Sequence, residues 1–246
     1  MSAGWNSTAE GGRRANILLM RGFEIRIDDR TVALPTNTER MLAFLAIRER
    51  PQLRMTVATS LWTDTTEDRA SANLRSALWK LADLREHLIE ATGAYLALAP
   101  HVAVDFPQLL IRARRLITED DTDRLDSTTG DLADDLLPDW DEDWLLFERE
   151  RLRQLRVHAL EALTRKLCDR GRYAEALEAG LSAVAAEPLR ESAQRMLIEV
   201  HLAEGNVNEA RRQFEQYREI LWDHLSLLPS VSLCSLVGVM APSKSA

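Results

Sequence analysis

The sequence predicts a mainly α protein with a small β component, built as two consecutive domains. Three observations lead there. Near the N-terminus, Phe23, Ile25 and Ile27 alternate with Glu24, Arg26 and Asp28, the period of a half-buried strand. Three helical segments follow, then two apolar runs either side of Gly93. The back half repeats itself at an offset of 34 residues. Strands, three helices and a closing hairpin are the parts of a winged helix-turn-helix, and a 34-residue period is that of a tetratricopeptide-like array. The expected division is a disordered leader over 1–15, a winged helix-turn-helix over 16–105, a helical repeat domain over 106–228, and a tail over 229–246.

The bulk properties allow this. A chain of 246 residues with 46% hydrophobic and 28% charged residues can bury a core in each of two domains. No apolar run is long enough to span a bilayer, and "MSAGWNSTAEGGRR" lacks the apolar region of a secretory signal. The expectation is a cytoplasmic protein with no membrane partner. Cys168 and Cys234 stand far apart and fit no metal spacing. The net charge is −8, but it is unevenly spread. Residues 13–115 hold 16 Lys and Arg against 12 Asp and Glu, whereas residues 116–246 hold 15 against 26. A mildly basic front and a strongly acidic back point to different partners.

Taken in order, Ile17 to Leu34 reads as strands, with "DDR" as a turn and Pro35 as the end. Thr36 and Glu39 have capping-box spacing ahead of Met41, Leu42, Leu45 and Ala46, in a helix that stops before Pro51. A shorter helix covers about 56–62. A third begins near Asp68, behind an acidic first turn. "HLIEATGAYLAL" then reads as a hairpin. Residues 119–143 contain twelve acidic side chains and one basic one, Arg124, and read as a solvated linker or an irregular docking segment.

Beyond Trp144 the chain is helical. "GRYAEALEAGLSAVAAEP" from Gly171 and "GNVNEARRQFEQYREIL" from Gly205 share a register in which Ala176 falls on Ala210. Glycine permits the tight turn, small alanines permit close helix approach, and Tyr173 is expected in the groove. The segment "WLLFERERLRQLRVHALEALTRKLCDR" supplies the preceding helices. Trp140, Trp144 and Phe147 are expected to pack between domains. Arg149, Arg151, Arg153 and Arg156 are expected to pair with acids. The tail after Pro229 has no assignment.

The stretches "LPTNTERMLAFLAIRER", "SLWTD", "ASANLRSALWKL" and "VAVD" resemble the front half of Streptomyces antibiotic regulatory proteins. "LLPDWDEDWLLFERERLRQLR", "GRYAEALEAGLSAVAAEPLRESAQRMLIEVHLAEGN" and "EARRQFEQYREIL" resemble the bacterial transcriptional activator domain that follows in that family. Together they cover about residues 17–228. The resemblance implies a transcriptional activator that binds double-stranded DNA at direct repeats through the major groove and recruits RNA polymerase. It also implies self-association on DNA and control of a secondary-metabolite (antibiotic) gene cluster.

On a helical projection of the third helix, Ala70, Leu74, Ala77, Leu78, Leu81 and Leu84 face the core. Opposite lie Ala72, Arg75, Ser76, Trp79 and Asp83, with Lys80 at the border. In a winged helix this face enters the major groove. Arg75 can donate two hydrogen bonds to guanine, and Ser76 and Lys80 can reach base edges or phosphate. Trp79 can donate its indole N–H to phosphate or pack on a sugar and a thymine methyl. Arg54 and Thr56 open the second helix, whose N-terminus suits a phosphate. Arg69 is a phosphate candidate, Asn73 borders the apolar edge, and Trp62 is expected in the core. Two departures from the family weaken the interface. Ala82 and Asp83 stand where arginines are common, and Tyr95 is followed by Leu96 and Ala97 rather than a basic residue.

Enzyme chemistry has no support. There is no Walker A run and no G-x-G-x-x-G, and the histidines at 87, 101, 158, 201 and 224 are scattered with no metal spacing. No cofactor and no metal are expected. Two other functions compete with DNA-binding activation. One is a protein-interaction adaptor of tetratricopeptide type with a degenerate winged helix; the other is a regulator whose repeat groove senses a small molecule.

Overall fold

The computed structural model describes residues 14–119 and 128–238. Most of the expected leader and the last eight residues of the expected tail lie outside them. The chain forms two compact units. One comprises residues 1–108 and returns for 135–144; the other comprises 109–134 and 145–246.

The first unit opens with a four-stranded sheet. β1 (Ala15–Leu18) and β2 (Glu24–Ile27) pair antiparallel with Ile17 opposite Ile25, and β3 (Arg30–Thr31) extends the edge. β7 (Val102–Val104) lies parallel to β1, giving the order β3-β2-β1-β7. Ala15, Ile17, Ile25, Ile27, Val102 and Val104 are all buried, so the sheet shows the period-2 pattern with one face inward. Asp28 and Asp29 both adopt positive φ at the turn, and the Asp28 carboxylate accepts from the Arg14 backbone N–H.

Against this sheet come three helices: α1 (Thr36–Arg48), α2 (Arg54–Leu61) and α3 (Glu67–Lys80). In α1 every residue from Met41 to Ile47 is buried, which makes it the central helix. The capping box does not form. Pro35 is the N-cap, without a side-chain hydrogen bond, and the Glu39 carboxylate accepts instead from the backbone of Leu34. α3 is also shorter than its projection. It stops at Lys80, Ala82 takes φ +44, and a 3-10 turn spans Ala82–Leu84 before the short α4 (Arg85–Leu88). β5 (Ile89–Thr92) and β6 (Tyr95–Leu98) form the hairpin read from the sequence, and β4 (Gln52–Leu53) joins it in the order β4-β6-β5. This is a winged helix-turn-helix.

Residues 135–144 are a docking segment rather than a solvated linker. Leu136 and Leu137 are buried, Leu136 bridges Met20, and the Leu137 N–H donates to the Leu19 carbonyl. Trp140 stacks on Phe23 at 5.8 Å, and Trp144 meets the Phe44 ring edge-on at 5.3 Å. Glu142 accepts from the Trp144 indole at 2.8 Å and from both Nε and Nη2 of Arg40. The acidic run is thus anchored by its few apolar residues and one partly buried ion pair.

Among its described residues the second unit has only helices: α5 (Asp105–Thr118) from Leu109 on, α6 (Thr128–Ala133), α7 (Asp143–Asp169) from Leu145 on, α8 (Tyr173–Ala186), α9 (Glu191–Glu204), α10 (Val207–Leu225) and α11 (Val231–Leu236). The 34-residue register is visible in the packing. Gly171 and Gly205 adopt φ +71 and +89 between successive helices, and Ala176 and Ala210 are both fully buried. Gly180 marks the closest approach: a Cβ there would stand 3.3 Å from Leu197 and 3.5 Å from Thr164. Arg151 and Arg153 pair with Glu148 and Glu150, and Arg156 donates to the Asp134 carbonyl. The unassigned tail contributes α11, whose Leu233 and Cys234, with Val237 just after it, cover Phe214, Tyr217 and Leu221. Phe147 is 73% exposed, so it does not serve as core.

Candidate nucleic-acid interface

α3 is held by one face. Ala70, Leu74, Ala77 and Leu78 are buried against α1 and α2, and the buried Thr38 hydroxyl donates to the Ala77 carbonyl at 3.4 Å. Glu67 and Asp68 occupy the first turn and Lys80 the last, as the helix dipole favours. The opposite face carries Arg69, Ala72, Arg75, Ser76, Trp79 and Lys80, all exposed. Neither Arg69 nor Arg75 makes a hydrogen bond or ion pair with another described residue. Trp79 is 75% exposed, and the Lys80 ammonium lies 5.9 Å from its ring centroid. Leaving so much indole in water forgoes roughly 1.5–3 kcal/mol of burial. Asn73 is half-buried at the edge of this stripe.

Elsewhere the sites separate. Trp62 is buried, whereas Thr56 is exposed in the first turn of α2. Arg54, the first residue of that helix, turns toward the hairpin and donates from Nε to the Gly93 carbonyl at 3.3 Å. Asp83 is not on α3 at all. It sits in the 3-10 turn that follows, so its expected place on the stripe is corrected by the early end of the helix.

Two relationships escaped the sequence reading. His87 and His101, read as scattered, face each other with His101 Nε2 3.3 Å from His87 Nδ1. They flank the hairpin, but nothing in a 14-residue separation announces contact. Asp105 is the second: its carboxylate accepts from the Leu19 and Met20 backbone N–H groups at 2.9–3.1 Å, fastening the end of β1 to the start of α5. Burial raises its pKa above the ordinary value, outweighing those hydrogen bonds, which act to lower it. No group of three or more His, Cys, Asp or Glu side chains at metal-binding distance occurs among the described residues. No described helix is long and apolar enough to cross a membrane.

The family model for the bacterial transcriptional activator domain matches residues 124–238. The match takes in α6 to α11 and just under half of the chain. No curated protein matches the sequence. The solved structure of Mycobacterium tuberculosis EmbR in complex with low affinity phosphopeptide is similar over 92% of this chain, with a TM-score of 0.75 and 20% identity. That likeness shows the fold. The chain covers 64% of the EmbR chain, so that protein is the longer of the two. A winged helix-turn-helix therefore precedes a segment similar to the bacterial transcriptional activator domain.

Proposed function

We propose that this protein is a sequence-specific DNA-binding transcriptional activator. The observation that carries it is the exposed stripe of α3, with Arg69, Arg75, Ser76, Trp79 and Lys80 on the unpacked side of a winged helix linked to an activator domain. In this reading α3 enters the major groove. Arg75 reads guanine, while Ser76 and Lys80 reach base edges or phosphate. Arg69, Thr56 and Asn73 contact or support the backbone register, and Trp79 packs against sugar and a thymine methyl. The sites are direct repeats upstream of promoters, occupied in tandem. The helical domain then recruits RNA polymerase, and the regulated genes form a secondary-metabolite cluster.

The test is a footprint with the full chain across the gene cluster next to its own gene, followed by transcription from the protected promoter in vitro. Protection of two repeats in direct orientation and increased transcript are expected. Uniform, sequence-independent protection refutes the reading. The adaptor reading draws on a different surface. Trp222, Leu225, Leu227, Leu228 and Val231 are all exposed within ten residues. It predicts peptide binding without any specific footprint.

A further inference from the structure

Arg54 is bound into the hairpin rather than standing free at a helix end. Its backbone N–H donates to the Ala94 carbonyl at 2.8 Å, and its guanidinium Nε donates to the Gly93 carbonyl. Residues 93 and 94 are the turn between β5 and β6, and Leu53, one residue earlier, pairs with Tyr95 across β4 and β6. The head of α2 and the tip of the wing are therefore one bonded piece. A guanidinium has five N–H donors in a fixed plane. One is spent on Gly93; the two terminal nitrogens make no hydrogen bond or ion pair with a described residue.

The wing tip itself is slender. Ala91, Thr92, Gly93 and Ala94 are small, exposed and uncharged, and a Cβ at Gly93 would meet nothing within 4 Å. From Ile89 to Leu98 the only charged side chain is Glu90, on β5. The guanidinium bonded to the turn comes from a different element, 41 positions upstream of Tyr95 in sequence. A narrow tip beside a single guanidinium suits a narrow, electronegative groove. A·T-rich minor grooves are the narrowest and most negative, and arginine, weakly hydrated, enters them at least cost.

We propose that Arg54 is the wing's DNA-reading cation and that it selects an A·T-rich minor groove beside the major-groove contact of α3. This rests on the DNA-binding reading above. It differs from a phosphate contact at the head of α2, because a phosphate contact is indifferent to base composition.

The test uses full-length protein and a duplex selected from a random-sequence pool. Within the stretch flanking the α3 footprint, adenines are replaced by 2,6-diaminopurine or guanines by inosine. These exchanges add or remove the minor-groove amino group and leave the major-groove edges unchanged. The wild type is expected to lose on the order of tenfold in affinity with diaminopurine and to gain with inosine. Arg54→Ala is expected to bind about tenfold more weakly and to ignore both exchanges. Arg54→Lys, which keeps the charge, is expected to retain phosphate-like binding and lose the discrimination. Thermal melts matching the wild type exclude a folding defect. Arg54→Ala binding as tightly as the wild type, or losing affinity while staying as sensitive to diaminopurine, overturns the proposal and leaves the DNA-binding reading intact. A pool from which the wild type selects nothing overturns both.

Discussion

Asp105 and Arg75 are opposite kinds of residue, one spent on the fold and one left over by it. The Asp105 carboxyl is pushed above its ordinary pKa by burial, so the folded state holds its proton more tightly than the unfolded chain. Its contribution to stability is therefore fullest below the unfolded pKa and is lost as pH rises through the folded value. A carbon-detected titration is expected to give Asp105 a midpoint above that of an exposed aspartate; an equal or lower midpoint disproves the burial argument. Arg75 by contrast has no partner among the described residues. Arg75→Ala is expected to leave the melting temperature unchanged and to cost about 1–3 kcal/mol in DNA affinity, read by mobility shift. Unchanged binding would remove α3's exposed stripe from the interface.

At the level of elements, legibility followed local periodicity. The β2 alternation, the hairpin around Gly93 and the 34-residue register were readable because each depends on residues near one another. The end of α3 was not. Leu81 and Leu84 continue the apolar spacing, yet Leu81 is buried from a turn that follows the helix, since tertiary packing draws the chain down toward α4. The capping box at Thr36 failed because proline already sets the entry geometry and Glu39 finds the Leu34 amide. In the repeat array the limit is space. Gly180 lies between α7 and α9, so Gly180→Val is expected to destabilise by about 1–3 kcal/mol through overpacking, measured by urea unfolding. A neutral substitution would mean that the helices can separate at little cost.

Across the whole molecule, the unexpected feature is the return of residues 135–144 to the winged-helix unit. Leu136→Ala is expected to cost roughly 2–5 kcal/mol, and to raise hydrogen exchange in β1, whose end it covers. Glu142→Gln leaves Arg40, only 21% exposed, without its charge partner, and is expected to cost about 1–2 kcal/mol in thermal unfolding. Wild-type exchange in both variants would return the segment to the status of a linker. The sequence by itself determined the two-domain order, the helical repeat and which side of α3 is apolar, because these are properties of spacing along the chain. Tertiary structure alone decided that an acidic run docks, that α11 closes the array, and that Arg54 bonds to the hairpin turn. Each of those depends on contacts between residues far apart in sequence, for which the chain carries no periodic signal.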